Sequence, residues 1–445
     1  MSGRSPAGRA EIALLAALLF TLPLFEVPKH LFWLAWVTVA GRALWRERGA
    51  PGGALSVWDA VFAALLGAVL LSGLGADAPP GWRAAGDILR LVSVPWLMLR
   101  RGYRAEDCRL PLLAALAGTG LASLWGMVRV LRADTPVFLQ LNSVGHVNHS
   151  AIYLAMSVGL ALAAWAGFAA RASGRVRLLI AGSGLIGLLA LFVSGSRAAM
   201  LALIVLLGVV AWISPFPLAQ PARDRRRFRL GLVAMAVAAL AGYLALVGLS
   251  GRSLQPDGAG LIGKFRLQAG DPVGGMISHR DRLARLALAA GLAHPVFGVG
   301  VDGFGRLTPA RVCAEIAPPP PGRDCDTSVY SFSAHAHSLY GTVFAEQGGL
   351  GLAAVLALLA AWAARLRGSL ARARADRHAA AVWLAALSGL VITAVAGLLN
   401  TTLHHEHGLL AMSCLGLLLA SRQASAAVVF PEPGHEAAQA LVERH

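Results

Sequence analysis

Apolar runs of about 20 residues recur from one end of the chain to the other, each long enough to cross ~30 Å of hydrocarbon. They predict roughly twelve spans, near residues 11–27, 30–45, 57–75, 82–100, 110–131, 149–170, 176–194, 197–214, 228–250, 337–365, 378–400 and 405–421. The interval 249–336 is long enough to form a small subdomain. Within it, residues 281–292 have helical periodicity, with Leu283, Leu286, Ala287 and Ala290 on one face, and Pro295 limits that helix. The four prolines 318–321 cannot be helix interior. The pattern therefore predicts an all-α integral membrane fold of about twelve transmembrane helices: residues 1–248 as the first nine spans, 249–336 as one large loop containing short helices, 337–421 as the last three spans and 422–445 as a short tail.

Composition strengthens this picture. The chain is 57% hydrophobic and only 14% charged, whereas a soluble domain carries roughly 25% charged residues. The net charge of +16 invites a nucleic-acid reading, but the arginines do not gather on one domain or among aromatics. They fall in blocks between apolar runs: Arg42, Arg46 and Arg48; Arg100, Arg101, Arg104 and Arg109; Arg171, Arg175 and Arg177; Arg223 to Arg229; and Arg365 to Arg377. An even span count puts every block on one side, which the positive-inside rule makes cytoplasmic, with both termini. Nucleic acid is excluded as a partner, and membrane lipid takes its place. Arg4 and Arg9 ahead of the apolar run from Ile12 resemble a signal peptide, but no small-residue cleavage site follows, so this run reads as a retained first span.

The far side receives the loop 249–336 and several short connections, and candidate chemistry concentrates there. Arg197 ends the turn Ser194-Gly-Ser-Arg between two spans, where its guanidinium is either an interfacial anchor or a phosphate ligand. Arg280 begins the loop helix with Arg282 and Arg285 close by. Arginine at a helix N-terminus opposes the dipole unless an anion sits there, and a solvated basic face is the plainer alternative. His335 and His337 sit just where the tenth span begins, with His337 opening it, and can exchange a proton near neutral pH. A His-x-His pair can also be half of a metal site, with His404, His405, Glu406 and His407 on the same side. A polar histidine-rich loop explains that cluster as simply, and no metal ligand or cofactor is assigned. Gly298-Val-Gly-Val-Asp-Gly-Phe-Gly lacks the βαβ setting of a nucleotide site and reads as a tight turn. Cys313 and Cys325 bracket the prolines; in an oxidising compartment they close a short loop, and otherwise they are two free thiols. Cys108 and Cys414 read as structural.

Three patches in order, Ser194-Gly-Ser-Arg197, Arg280 with His294-Pro-Val-Phe-Gly-Val-Gly-Val-Asp-Gly-Phe304, and His337-Ser-Leu-Tyr with Glu346-Gln-Gly-Gly-Leu-Gly351, resemble the O-antigen ligase and polymerase superfamily. The resemblance covers about residues 194–351. Two positions depart from the family pattern: Ala284 stands where Trp is frequent, and Ser338 where Asn is. What the resemblance implies is a GT-C-like glycosyltransferase of the bacterial inner membrane with a periplasmic site. It would be metal-independent and inverting, moving a glycan from undecaprenyl diphosphate to a sugar hydroxyl of lipid A–core oligosaccharide. His337 would act as catalytic base, Arg197 and Arg280 would bind the diphosphate, and His335, Arg282 and Glu346 would be secondary candidates.

Four other readings compete, one of them a structural assembly partner with no activity, against which the clustered outer-face arginines and histidine argue. A polymerase of the same superfamily would lengthen the glycan on its carrier. A protein-directed relative would act on Ser or Thr, but it tends to carry an additional C-terminal region. A lipid or solute transporter would show charges deep in its spans, and here only Asp59, Asp87 and Arg90 stand out.

Overall fold

A computed structural model describes residues 7–47, 55–74, 82–135, 137–213, 230, 233–234, 236–246 and 280–421. Arg4, Arg48, the block Arg223 to Arg229, residues 249–279 and the tail 422–445 lie outside the described residues. The described chain is helical, with no strand: α1 Arg9–Thr21, α2 Glu26–Arg46, α3 Val57–Leu74, α4 Trp82–Arg101, α5 Arg109–Arg132, α6 Val147–Phe168, α7 Gly174–Ser194, α8 Arg197–Ile213, α9 Ala236–Leu246, α10 Arg280–Ala293, α11 Leu339–Ala375, α12 Arg377–Ala396 and α13 His405–Ala420.

A helix stands at each of the twelve expected positions, but among the described residues six are long and apolar enough to cross a membrane by themselves: α3, α5, α6 with the 3-10 turn after it, α7, α11 and α12. The shortfall has local causes. Pro23 stops α1 after 13 residues, or about 20 Å of rise. In α2 and α4, charged residues such as Lys29, Arg42, Asp87 and Arg90 lower the apolar content. α8 and α13 run 17 and 16 residues.

Helix α6 forms the axis. It is buried on all sides from Ser150 to Ala164 and packs against α5, α7, α8, α12 and α13. Small residues allow the closest approach: Cβ atoms on Gly159 and Gly167 would fall 2.1 Å from Ser388 Oγ and 2.5 Å from Ala381 Cβ of α12. Large apolar side chains such as Leu34, Trp125, Leu178 and Ile204 are exposed on the outside of the bundle, as a lipid-facing surface requires.

One end of the bundle is held by charge. Arg101 pairs with Glu11 and Glu47 at 3.1 and 3.0 Å, joining α1, α2 and α4, and Tyr103 Oη donates to Glu11 at 2.7 Å. Asp59 and Asp87, the charges that stood out within the spans, are both paired, with Arg100 at 2.5 Å and Arg90 at 3.3 Å.

At the other end, residues 280–338 form a compact annex with its own core. Leu283, Leu286, Ala287 and Ala290 of α10 are buried, as their periodicity predicts, against Val299, Phe304, Val312 and Ile316. A disulfide joins Cys313 and Cys325, with 5.8 Å between their Cα atoms. Prolines 318–321 stay outside any helix.

The glycine motif is a structural clasp. Gly298, Gly300 and Asp302 have positive φ, which turns the chain tightly after α10. The turn fits into a break in α11 at Gly348, where φ is 61° and ψ −157°. Val299 and Gly300 N–H groups donate to Ala345 and Glu346 carbonyls at 2.8 and 3.1 Å, and Gly349 N–H donates to Pro295 at 2.7 Å. Cβ atoms at Gly298 and Gly348 would lie 2.2 Å from the Glu346 carbonyl carbon and 2.4 Å from that of Val296. Gly348→Ala is expected to cost at least about 1–2 kcal/mol from backbone conformation alone, with the clash added. The check is a fall in the melting temperature of purified protein in detergent, and no change would mean the clasp is slack.

Candidate functional site

Three of the sequence-selected residues converge where the annex meets the bundle. Gly195, with φ 65° at the C-terminus of α7, reverses the chain so that α8 begins at Arg197. Ser196 Oγ donates to Asn148 Oδ1 at 3.4 Å, tying this turn to the start of α6. Arg280, the first residue of α10, reaches Asn400 Oδ1 at 3.5 Å. Burial first, and then the neighbouring Arg197 guanidinium, lower the Arg280 pKa. The two cations therefore share one pocket of potential, which an anion between them would relieve.

His337 stands just before α11 and does not open it. The helix begins at Leu339, with Ser338 as N-cap accepting from Gly341 N–H at 3.2 Å. His337 has φ 50°, a left-handed conformation costly for a non-glycine residue, so the surrounding contacts must fix it. Those contacts include Leu339 N–H donating to the Gly397 carbonyl at 2.8 Å and Ser338 Oγ donating to the same carbonyl at 3.2 Å. Burial, then His335, Arg280 and His146, hold the His337 pKa down to about 4, which leaves its imidazole neutral at pH 7.

The secondary candidates separate. His335 joins the site, its ring 4.6 Å from that of His337, and burial first, with His146 and His405, lowers its pKa. Arg282 is exposed on α10. Glu346 is buried and accepts from Phe304 N–H at 3.3 Å, so its carboxylate braces the glycine turn.

Sequence reasoning missed the partners supplied by α6. His149, near its N-terminus, lies with its ring 4.7 Å from His404, 5.2 Å from His405, 5.1 Å from His407 and 6.2 Å from His335. A polar Val147-Asn-His-Ser opening on an otherwise apolar helix was the available signal. Asn400 and Thr401 were missed as well; Asn400 Nδ2 and Thr401 Oγ1 are buried without a partner. Leu403 and His405, on either side of His404, also have positive φ, at 58° and 52°. A cavity of about 670 Å³ opens beside this group, with apolar walls that include Leu65, Val69, Leu91 and Leu358, and polar residues that include Arg90, His335, His404 and His405.

Below the histidines, Lys29 of α2 is 2% exposed and pairs with Glu406 of α13, with Glu26 at 2.6 Å and with Ser143 Oγ at 2.8 Å. Glu26 is 66% exposed and contributes little to stability. Glu406 is 6% exposed, and losing its partner would strand a buried charge. Lys29→Met is expected to destabilise the protein by about 3–5 kcal/mol, and Lys29→Met/Glu406→Gln to recover at least half of that. Equal losses in thermal unfolding for the single and double variants would refute the pairing as the cause.

Residues 182–356 match the model of a family described as O-Antigen ligase. No curated protein matches the chain. The matched stretch contains Arg197, Arg280 and His337 and extends through the clasp in α11. That match, confined to residues 182–356, supports an O-antigen ligase family assignment.

Proposed function

We propose that this protein is an O-antigen ligase that transfers a glycan from undecaprenyl diphosphate to a sugar hydroxyl of lipid A–core on the periplasmic face of the inner membrane. The observation that carries the proposal is the meeting of Arg197, Arg280 and His337, which come from three separate segments, at one electrostatically coupled site. Two further facts support the orientation. The Cys313–Cys325 disulfide suits an oxidising compartment, and the arginine-rich ends of α4, α11 and the 169–171 turn suit the cytoplasmic side. We infer the same GT-C-like plan of about twelve crossings, with both termini cytoplasmic and the loop 249–336 periplasmic.

In this reaction the acceptor oxygen attacks the anomeric carbon from the face opposite the diphosphate. Its proton passes to the His337 imidazole as the new glycosidic bond forms. The anomeric C–O bond to the phosphate breaks, and undecaprenyl diphosphate leaves with inversion. Charge builds on the departing oxygens, where Arg197 and Arg280 provide fixed donors; such preorganised stabilisation is worth roughly 3–4 kcal/mol per donor. The guanidiniums take the place that a metal ion fills in many sugar-nucleotide transferases. An imidazole of pKa about 4 is fully available at neutral pH but weak as a base. A bound diphosphate opposes the Arg280 charge and raises that basicity at the moment it is needed. The cavity beside the histidines, lined by both apolar and polar residues, suits an amphiphilic substrate.

The test is transfer by purified protein between lipid-linked glycan and lipid A–core in detergent. Wild type is expected to give core-linked product with inverted anomeric configuration. His337→Ala and Arg280→Ala are expected to fall by about 10²–10⁴-fold with folding intact. Lengthened carrier-linked glycan without core-linked product would make the protein a polymerase, and retained configuration would exclude the single displacement. The pH profile follows the same logic: kcat/KM should be level near neutrality and decline as pH falls through about 4, with the kcat limb at higher pH because bound diphosphate raises the base. Identical acid limbs for the two parameters would contradict this coupling.

A further inference from the structure

We propose that His149, His404 and His405 form a binding site for one late transition-metal ion of the Zn²⁺ class, distinct from the arginine pair that receives the diphosphate. One ring nitrogen from each of these three residues lies within 4.8 Å of the other two. Tetrahedral Zn²⁺ with Zn–N distances of about 2.0–2.1 Å needs ligand nitrogens roughly 3.4 Å apart, so small rotations of the rings close the site. The donors come from two elements that the fold already holds together, the first turn of α6 and the connection into α13. They are therefore not three neighbours on one floppy loop.

A second observation points the same way. His404 Nε2 is buried without a hydrogen-bond partner, although a nitrogen removed from water is costly to leave unsatisfied. Neighbouring acids do not satisfy the cluster. Glu406 lies between His405 and His407 in sequence, but its carboxylate is engaged by Lys29. The donor set is then all imidazole, which selects zinc, copper, nickel or cobalt over magnesium or calcium. His404 and His405 also line the adjacent cavity, so the positions not filled by protein face it, in the manner of an open three-ligand site. The ion would cross-link α6 to α13 at the rim of that cavity. No step of the transfer described above passes through it.

The experiment uses the full chain in detergent, with any purification tag removed, stripped with chelator and equilibrated with Zn²⁺ or Mg²⁺ before metal analysis. About one Zn²⁺ per chain and no Mg²⁺ is expected, with a rise in melting temperature on adding Zn²⁺. His149→Gln and His404→Gln should each weaken binding at least about tenfold while melting as wild type does in chelator, and Arg280→Ala should bind Zn²⁺ normally. Absence of stoichiometric Zn²⁺, or Zn²⁺ held equally well by both histidine variants, overturns the proposal. Should either variant fail to fold, Co²⁺ in the wild type decides. Visible ligand-field bands of tetrahedral nitrogen coordination support the site, and an aqua-ion spectrum overturns it. Loss of transfer by His337→Ala with Zn²⁺ still bound would leave this site standing apart from the catalytic assignment.

Discussion

Four backbone hydrogen bonds between the turn at Pro295 to Gly300 and the stretch Ala345 to Leu350 hold the annex to the bundle. Because α11 breaks at Gly348, carbonyls that would have bonded within the helix are offered to the turn instead. The positions of Arg280 and His337 both depend on this clasp. Arg280 begins the helix that ends at the turn, and His337 lies just ahead of the helix that contains the break. Buried backbone bonds with few alternatives at the membrane boundary are stiff, and stiffness is what a pair of facing groups requires.

The polar groups of the bundle follow the same constraint. Hydrocarbon offers nothing to an unsatisfied polar atom, so charges within the helices are paired or moved to the ends. At one end Arg101, Glu11, Glu47 and Tyr103 close a buried network among α1, α2 and α4. At the other, Lys29 bridges α2 to α13 immediately below His405 and His407. The second bridge fixes the entry of α13, and with it the segment from Asn400 to His405 that faces Arg280 and His149.

Hydropathy made the helices legible because each apolar run is a local property. Among the described residues, length and apolar content by themselves mark fewer helices than hydropathy did, because Pro23 shortens α1 and charges enter α2 and α4. The buried face of α10 was legible from a 3.6-residue period, and Gly298 to Gly303 was legible as a turn. The partner of that turn was not, since a break at Gly348 shows itself only when another segment fills it. Arg197, Arg280 and His337 could be selected because each interrupts an apolar pattern at a helix end. His149 and Asn400 were not, because their importance lies in contacts across 250 residues or more in one case and 120 in the other. Glu346 shows the opposite failure: a carboxylate near a motif that serves the backbone.

The placement of arginines and histidines implies a division of labour set by charge. Guanidiniums remain cationic on burial, so Arg197 and Arg280 create a region where anions are favoured and a further cation is not. Imidazoles respond to burial and to neighbouring rings by giving up their protons, as His337 and His335 do, and Arg280 adds to the effect at His337. A neutral imidazole is a proton acceptor and a metal ligand, whereas a protonated one is neither. Burial at the junction of annex and bundle therefore keeps the histidines in their chemically useful form, with Arg280 contributing at His337. Under the proposed function, the cost of crowding Arg197 and Arg280 would be offset when an anionic substrate arrives, so the free site would be primed by repulsion that binding relieves.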